Sequence, residues 1–126
     1  MTAQAIVSRD PAGPRLLRGG PIAAEVREAV AADVLVFREV HGFTPALAVV
    51  IVGRDAPSTV YLHKILDGCR SVGIVDRLVE LPEDSGPARV AAAITGLNDD
   101  PTVAGIIVQM PLPPGIPATE IGRAHV

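Results

Sequence analysis

Apolar positions along the chain alternate between helical and strand-like spacing. After Pro21, Ile22, Val26, Val30 and Val34 recur every four residues, and His41-Gly42 stands before Pro45. Proline suits a first helical turn and glycine a helix end, so the spacing predicts a helix from about Pro21 to Val40. The next run, Leu47 to Val52, is continuously apolar, rich in β-branched residues and closed by Gly53. A short run of that kind predicts a strand covered on both faces. A turn at Asp55-Ala-Pro-Ser58 follows, with Ser58 as the expected helix N-cap. The helix then runs to about Val72 with Gly73 as its stop, and its apolar face carries Tyr61, Leu62, Ile65, Leu66, Cys69 and Val72.

The segment from Val75 to Leu81 mixes polar and apolar residues and reads as a strand nearer an edge, ended by Pro82. Pro87 opens a third helix with Val90, Ile94 and Leu97 as its stripe, broken at Asn98-Asp-Asp-Pro101 before a last strand from Val103 to Gln109. Pro111, Pro113, Pro114 and Pro117 stop regular structure after it. Helix, strand, helix, strand, helix, strand is the order of βαβ units, so the expected fold is α/β, a three-layer αβα domain with a mainly parallel sheet. Residues 1–20, rich in Pro and Gly, read as a loose N-terminal leader, 21–118 as the domain, and 119–126 as the start of a further helix.

At 126 residues the chain accommodates one domain with its own core. A net charge of −3 and the lack of any Lys/Arg cluster argue against nucleic acid and against an anionic membrane as partners. No apolar stretch reaches spanning length, and Cys69 as the sole cysteine fits a reducing, cytoplasmic home. Aromatic residues are only 2% of the chain, which requires an aliphatic core.

In open parallel sheets ligands bind beyond the carboxyl ends of the strands. The segments expected there are 53–61, 81–86 and 109–113. Gln109 ends an apolar strand with a group that both donates and accepts, so it either orients a polar ligand or bonds to its own loop. Tyr61, the only tyrosine, is either a platform for a flat ligand or a residue at the rim of the core. Lys64 is the only lysine among eleven basic residues. It either lies on a solvated helix face or, desolvated near a cleft, moves protons in a way arginine cannot. No metal-ligand spacing and no G-x-G-x-x-G occurs, so neither zinc nor a dinucleotide is expected within this chain.

Several blocks resemble, in order and spacing, the bifunctional methylenetetrahydrofolate dehydrogenase/methenyltetrahydrofolate cyclohydrolase family, in its N-terminal catalytic domain. They are Leu17-x-Gly19-x-x-Ile22-Ala23, Pro45-x-Leu47-Ala48-Val49, Val52-Gly53-x-Asp55-x-x-Ser58-x-x-Tyr61, Cys69-x-x-Val72-Gly73-Ile74, Leu81-Pro82-Glu83, Leu97-Asn98-x-Asp100 and Gly105 to Pro113. The resemblance implies one-carbon metabolism: oxidation of methylenetetrahydrofolate to methenyltetrahydrofolate, then hydrolysis to formyltetrahydrofolate. It implies a tetrahydrofolate derivative lying over Tyr61, with Lys64, Gln109 and Tyr61 catalytic and Tyr61, Gln109, Pro111, Leu112, Ser58 and Asp55 binding substrate. NADP or NAD would serve the full-length parent, a cytoplasmic homodimer, through a second domain beyond Val126, leaving this chain alone inactive. Two positions depart from the family. Its lysine four residues after the tyrosine is Ile65 here, with Lys64 one residue earlier, and its opening lysine is Gly20. A paralogue that binds folate or forms subunits without the catalytic lysine is the alternative.

Overall fold

The computed structural model describes residues 7–8 and 16–124. Its elements are β1 (Val7–Ser8), β2 (Leu16–Leu17), α1 (Gly20–His41), β3 (Ala46–Val52), α2 (Ala56–Val72), β4 (Val75–Leu81), α3 (Pro87–Asn98), β5 (Val103–Val108) and α4 (Ala118–Ala124). The main sheet has three parallel strands in the order β4-β3-β5. The expected αβα arrangement is therefore present. β1 and β2 pair antiparallel within the stretch read as a leader, most of which lies outside the described residues. Two-residue strands are too short to leave a periodic trace in a sequence.

β3 occupies the centre, and Ala48, Val49 and Val50 are wholly buried. Alternate side chains project to opposite faces of a strand. Val49 and Ile51 accordingly pack with Leu62 and Leu66 of α2, with Ile65 alongside. Ala48, Val50 and Val52 pack on the other face with Val90, Ile94 and Leu97 of α3 and with Ile116 and Ile121. Both faces of the strand are thus sealed by helices, which is why its sequence shows no polar alternation. β4, mixed in composition, is an edge strand. A register shift opposite Ala46 and Leu47, pairing them with Val103 and Gly105, turns Ile106 and Val108 to the α3 face.

Gly42 and Gly73, both left-handed, end α1 and α2 where expected. The start of α2 differs: Asp55 is its N-cap, accepting from the Ser58 backbone N–H at 2.9 Å, and Pro57 falls within the first turn. Asp55 outcompetes Ser58 for that position because its carboxylate reaches the amide three residues on, at the positive helix end. Cys69 is buried as expected, and that burial pushes its thiol pKa up.

The turn into β5 is fastened by Asp100, which accepts from Arg77 of β4 and from the Thr102 backbone N–H and hydroxyl. The Arg77 bond first, then Thr102, holds the Asp100 carboxyl far below the usual carboxylate range. A carboxylate depressed in the folded state stabilises above its unfolded pKa of about 3.9, and the contribution is lost as pH falls toward the folded value. Asp100→Asn is therefore expected to melt below the native chain at neutral pH, with the gap closing below about pH 3. Thermal melts across pH check this; a gap constant with pH would assign the loss to shape instead of charge.

Candidate active site

The chain leaves β3 toward α2 on one face and leaves β5 toward α4 on the other. Neighbouring strands whose exits diverge in this way open a crevice at their carboxyl ends, where ligands bind in open α/β sheets. A cleft of about 210 Å³ lies there. One wall is Gly53, Arg54, Asp55 and Ser58; the other is Gln109, Pro111, Leu112, Pro113 and Pro114, and Glu83 contributes from the turn after β4.

Backbone geometry sets the first wall. Gly53 has φ 70°, donates to the Leu81 carbonyl at 2.9 Å, and lies so close to the turn that an added Cβ would meet Glu83 Cβ at 3.2 Å. Glycine avoids both the left-handed strain and the contact. Ser58 is buried at the head of α2, and Asp55 is fixed by it. Hydrogen bonding from Ser58, through its side chain and then its backbone, holds the Asp55 carboxyl below its ordinary pKa. Arg54 turns outward to an ion pair with Glu80 of β4.

Gln109 continues the β5 ladder, its backbone N–H donating to Val50 at 2.8 Å. The residue is only 8% exposed, yet among the described residues its amide has one partner, the Met110 carbonyl at 3.5 Å, the outer limit of a hydrogen bond. That contact, at the limit of hydrogen-bond distance, runs to the loop that follows β5. The amide sits on the cleft wall with its oxygen accepting from no described residue. With that oxygen open to the cleft, a ligand offering complementary groups can pair with the amide in place of water.

The structure thus brings Asp55, Ser58, Gln109, Pro111 and Leu112 together at one cleft. Tyr61 is not among the lining residues. It lies one turn along α2 from Ser58 and is 58% exposed, so it does not belong to the packed face of the helix as expected. Lys64 is not brought to the cleft either. It lines a separate hollow with Arg27, Asp67, Gly68 and Ser71, between α1 and α2. Ile65, one residue on, packs beside Leu62 and Leu66 against the sheet. A step of one residue rotates a side chain by about 100° around the helix, which accounts for the two destinations. Arg54 and Glu83 line the cleft without having been named as site residues; apart from the place of Glu83 in the Leu81-Pro82-Glu83 block, their sequence signal was a position in the loops after β3 and β4.

The same turn does not fit a dinucleotide. The α2 N-terminus, where a pyrophosphate would bind, is already occupied by the Asp55 carboxylate, which would also repel it.

Fold and cleft together define an αβα domain of the kind that takes a polar ligand between diverging strand exits. The model of the tetrahydrofolate dehydrogenase/cyclohydrolase catalytic domain matches residues 17–124, and the chain belongs to that family. Bifunctional protein FolD of Rhodopseudomonas palustris (strain TIE-1) is 42% identical over 107 residues, 85% of this chain and 36% of its own length. The crystal structure of the bifunctional FolD methylenetetrahydrofolate dehydrogenase/cyclohydrolase from Campylobacter jejuni superposes with a TM-score of 0.80 at 30% identity, covering 86% of this chain and 38% of that one. The Trypanosoma brucei methylenetetrahydrofolate dehydrogenase-cyclohydrolase, solved with NADP cofactor and an inhibitor, shares the fold: TM-score 0.78 and 23% identity over 86% of this chain and 37% of that one. The chain thus spans little more than a third of the relatives it matches.

Proposed function

We propose that this chain is the folate-binding half of a methylenetetrahydrofolate dehydrogenase/methenyltetrahydrofolate cyclohydrolase, acting in one-carbon metabolism. The observation that carries the reading is the Gln109 amide at the wall of the β3/β5 cleft, its oxygen free of any described partner and open to the cleft, in a chain belonging to this family. A reduced pterin has fused polar rings edged with N–H and C=O groups, which a glutamine can meet with both its donor and its acceptor. Pro111 and Leu112 would border the ring, Asp55 and Ser58 would form the facing wall, and Tyr61 would close over it from α2. NADP or NAD, as hydride acceptor, would be held by residues outside this chain, since the α2 turn does not accommodate it. We take the parent to be a cytoplasmic homodimer. Ile22, Val26, Val36 and Val40, exposed on α1, support association with further protein.

The folate-binding paralogue without the catalytic lysine is favoured as the form of this reading by one observation: Lys64 lines the α1/α2 hollow, and Ile65 packs on the sheet. Titration with methenyltetrahydrofolate, together with its hydrolysis rate, tests the point on the native chain and on Lys64→Ala. Affinity is expected to stay within about twofold, because an exposed charge outside the cleft is screened by water and salt. A hydrolysis rate above that of buffer which disappears on Lys64→Ala would return Lys64 to the chemistry. Absence of any folate binding by the native chain would remove the reading itself.

A further inference from the structure

The charges around the cleft do not cancel. Arg54 is the one basic residue among those lining it, and Glu80 already holds its guanidinium. Asp55 is engaged with the head of α2, where the positive helix end offsets much of its charge. Glu83 remains. It lines the same cleft and has no hydrogen bond or ion pair among the described residues. The turn that carries it is fixed at both ends: Ser85, itself buried, donates its backbone N–H to the Pro82 carbonyl at 3.0 Å, and the Glu83 stem rests against Gly53. Across from it stands Gln109, a residue only 8% exposed whose amide oxygen has no described partner and opens on the cleft. A neutral donor-acceptor and an uncompensated carboxylate facing one hollow favour a ligand that is both polar and positively charged.

We propose that Glu83 is a specificity-determining residue that makes this cleft prefer the cationic, oxidised state of its one-carbon ligand over neutral states of the same molecule. The inference rests on the folate reading above. In the methenyl state the one-carbon bridge carries a positive charge shared by two ring nitrogens, whereas 5-formyltetrahydrofolate has a neutral ring and the same anionic tail. The two ligands therefore differ in the charge that Glu83 would sense, and contributions from the tail cancel in their ratio. A carboxylate at a solvated cleft wall acts through a high effective dielectric, so the preference is modest and salt-dependent.

The test is equilibrium binding of methenyltetrahydrofolate and of 5-formyltetrahydrofolate to the native chain, Glu83→Gln and Glu83→Lys, at low and high salt, read within the lifetime of the cation. Glu83→Gln is expected to weaken the methenyl ligand on the order of three- to tenfold relative to the formyl one at low salt, and Glu83→Lys more, with both differences shrinking as salt rises. Equal weakening of both ligands, or an unchanged ratio in both variants, overturns the role of Glu83 while leaving the folate site standing. Failure of the native chain to bind either ligand removes the folate reading, and the proposal with it. Glu83 is an exposed turn residue, so neither variant threatens the core, and an unaltered melting temperature verifies that each is folded.

Discussion

Ile94→Ala is expected to lower the unfolding free energy by about 2–5 kcal/mol, the range for truncating a fully buried branched side chain whose surroundings relax only in part. Ile94 is 0% exposed and meets Val52, Val90, Ile116 and Ile121. It therefore joins the central strand to the segment after β5 that bears the proline wall of the cleft. Against a typical domain stability of about 5–15 kcal/mol the loss is a large fraction. Urea denaturation should show the midpoint falling with little change in slope. Ile107→Ala is the control: it removes a similar side chain from a position on β5 where 36% of the residue is exposed. Its cost should stay nearer 1 kcal/mol. Equal losses from the two substitutions would mean that α3 does not seal the sheet as described.

The contrast between these two isoleucines also marks where the sequence was legible. α3 showed itself through Val90, Ile94 and Leu97, because a helix packed on one side must repeat its apolar positions near 3.6. β3 showed itself through an unbroken apolar run, because both faces are covered and nothing selects for alternation. β5 is apolar on both faces as well, but Ile106 and Val108 are only partly buried and Ile107 is exposed. Its local shift in register changes which residues face inward, and only the pairing with β3 reveals that. Composition within the strand is indifferent to it.

At the cleft, the legible part was the strand end. Gln109 interrupts an apolar run at the position where loops converge, a conflict with burial that points to use. The cap of α2 was less legible, since Asp55 and Ser58 are both good N-caps and only geometry shows Asp55 reaching the Ser58 amide. Tyr61 was misassigned to the packed face because a helical stripe from sequence has a width of about 100° and no sharp edge. Lys64 illustrates the same uncertainty from the other side. Its rarity in an arginine-rich chain drew attention, but rarity carries no direction, and the helix turns it to the α1/α2 hollow. Glu83 stood in the Leu81-Pro82-Glu83 block and the 81–86 segment but had no periodic or compositional signal to give it a role; its interest arises from the absence of a described partner, which is a property of three-dimensional surroundings.

Gln109→Ala is expected to weaken folate binding by about five- to a hundredfold while leaving the melting temperature nearly unchanged. Ligand groups left without a partner in a mostly buried site cost about 1–3 kcal/mol, and each 1.4 kcal/mol is a factor of ten in affinity. The fold should be indifferent. The strand pairing at this position is made by the Gln109 backbone, and the side chain contributes only the 3.5 Å contact to Met110. That separation of roles distinguishes a binding amide from a structural one, because a structural amide would lower stability and affinity together. Gln109→Glu sharpens the comparison: it keeps the shape but loses the N–H donors and adds a negative charge beside Asp55 and Glu83. With a neutral folate it should bind no better than the alanine variant. Fluorescence titration and thermal melts on the three proteins read both quantities. Native affinity in Gln109→Ala would mean that folate, if bound, is held elsewhere than between the diverging exits of β3 and β5.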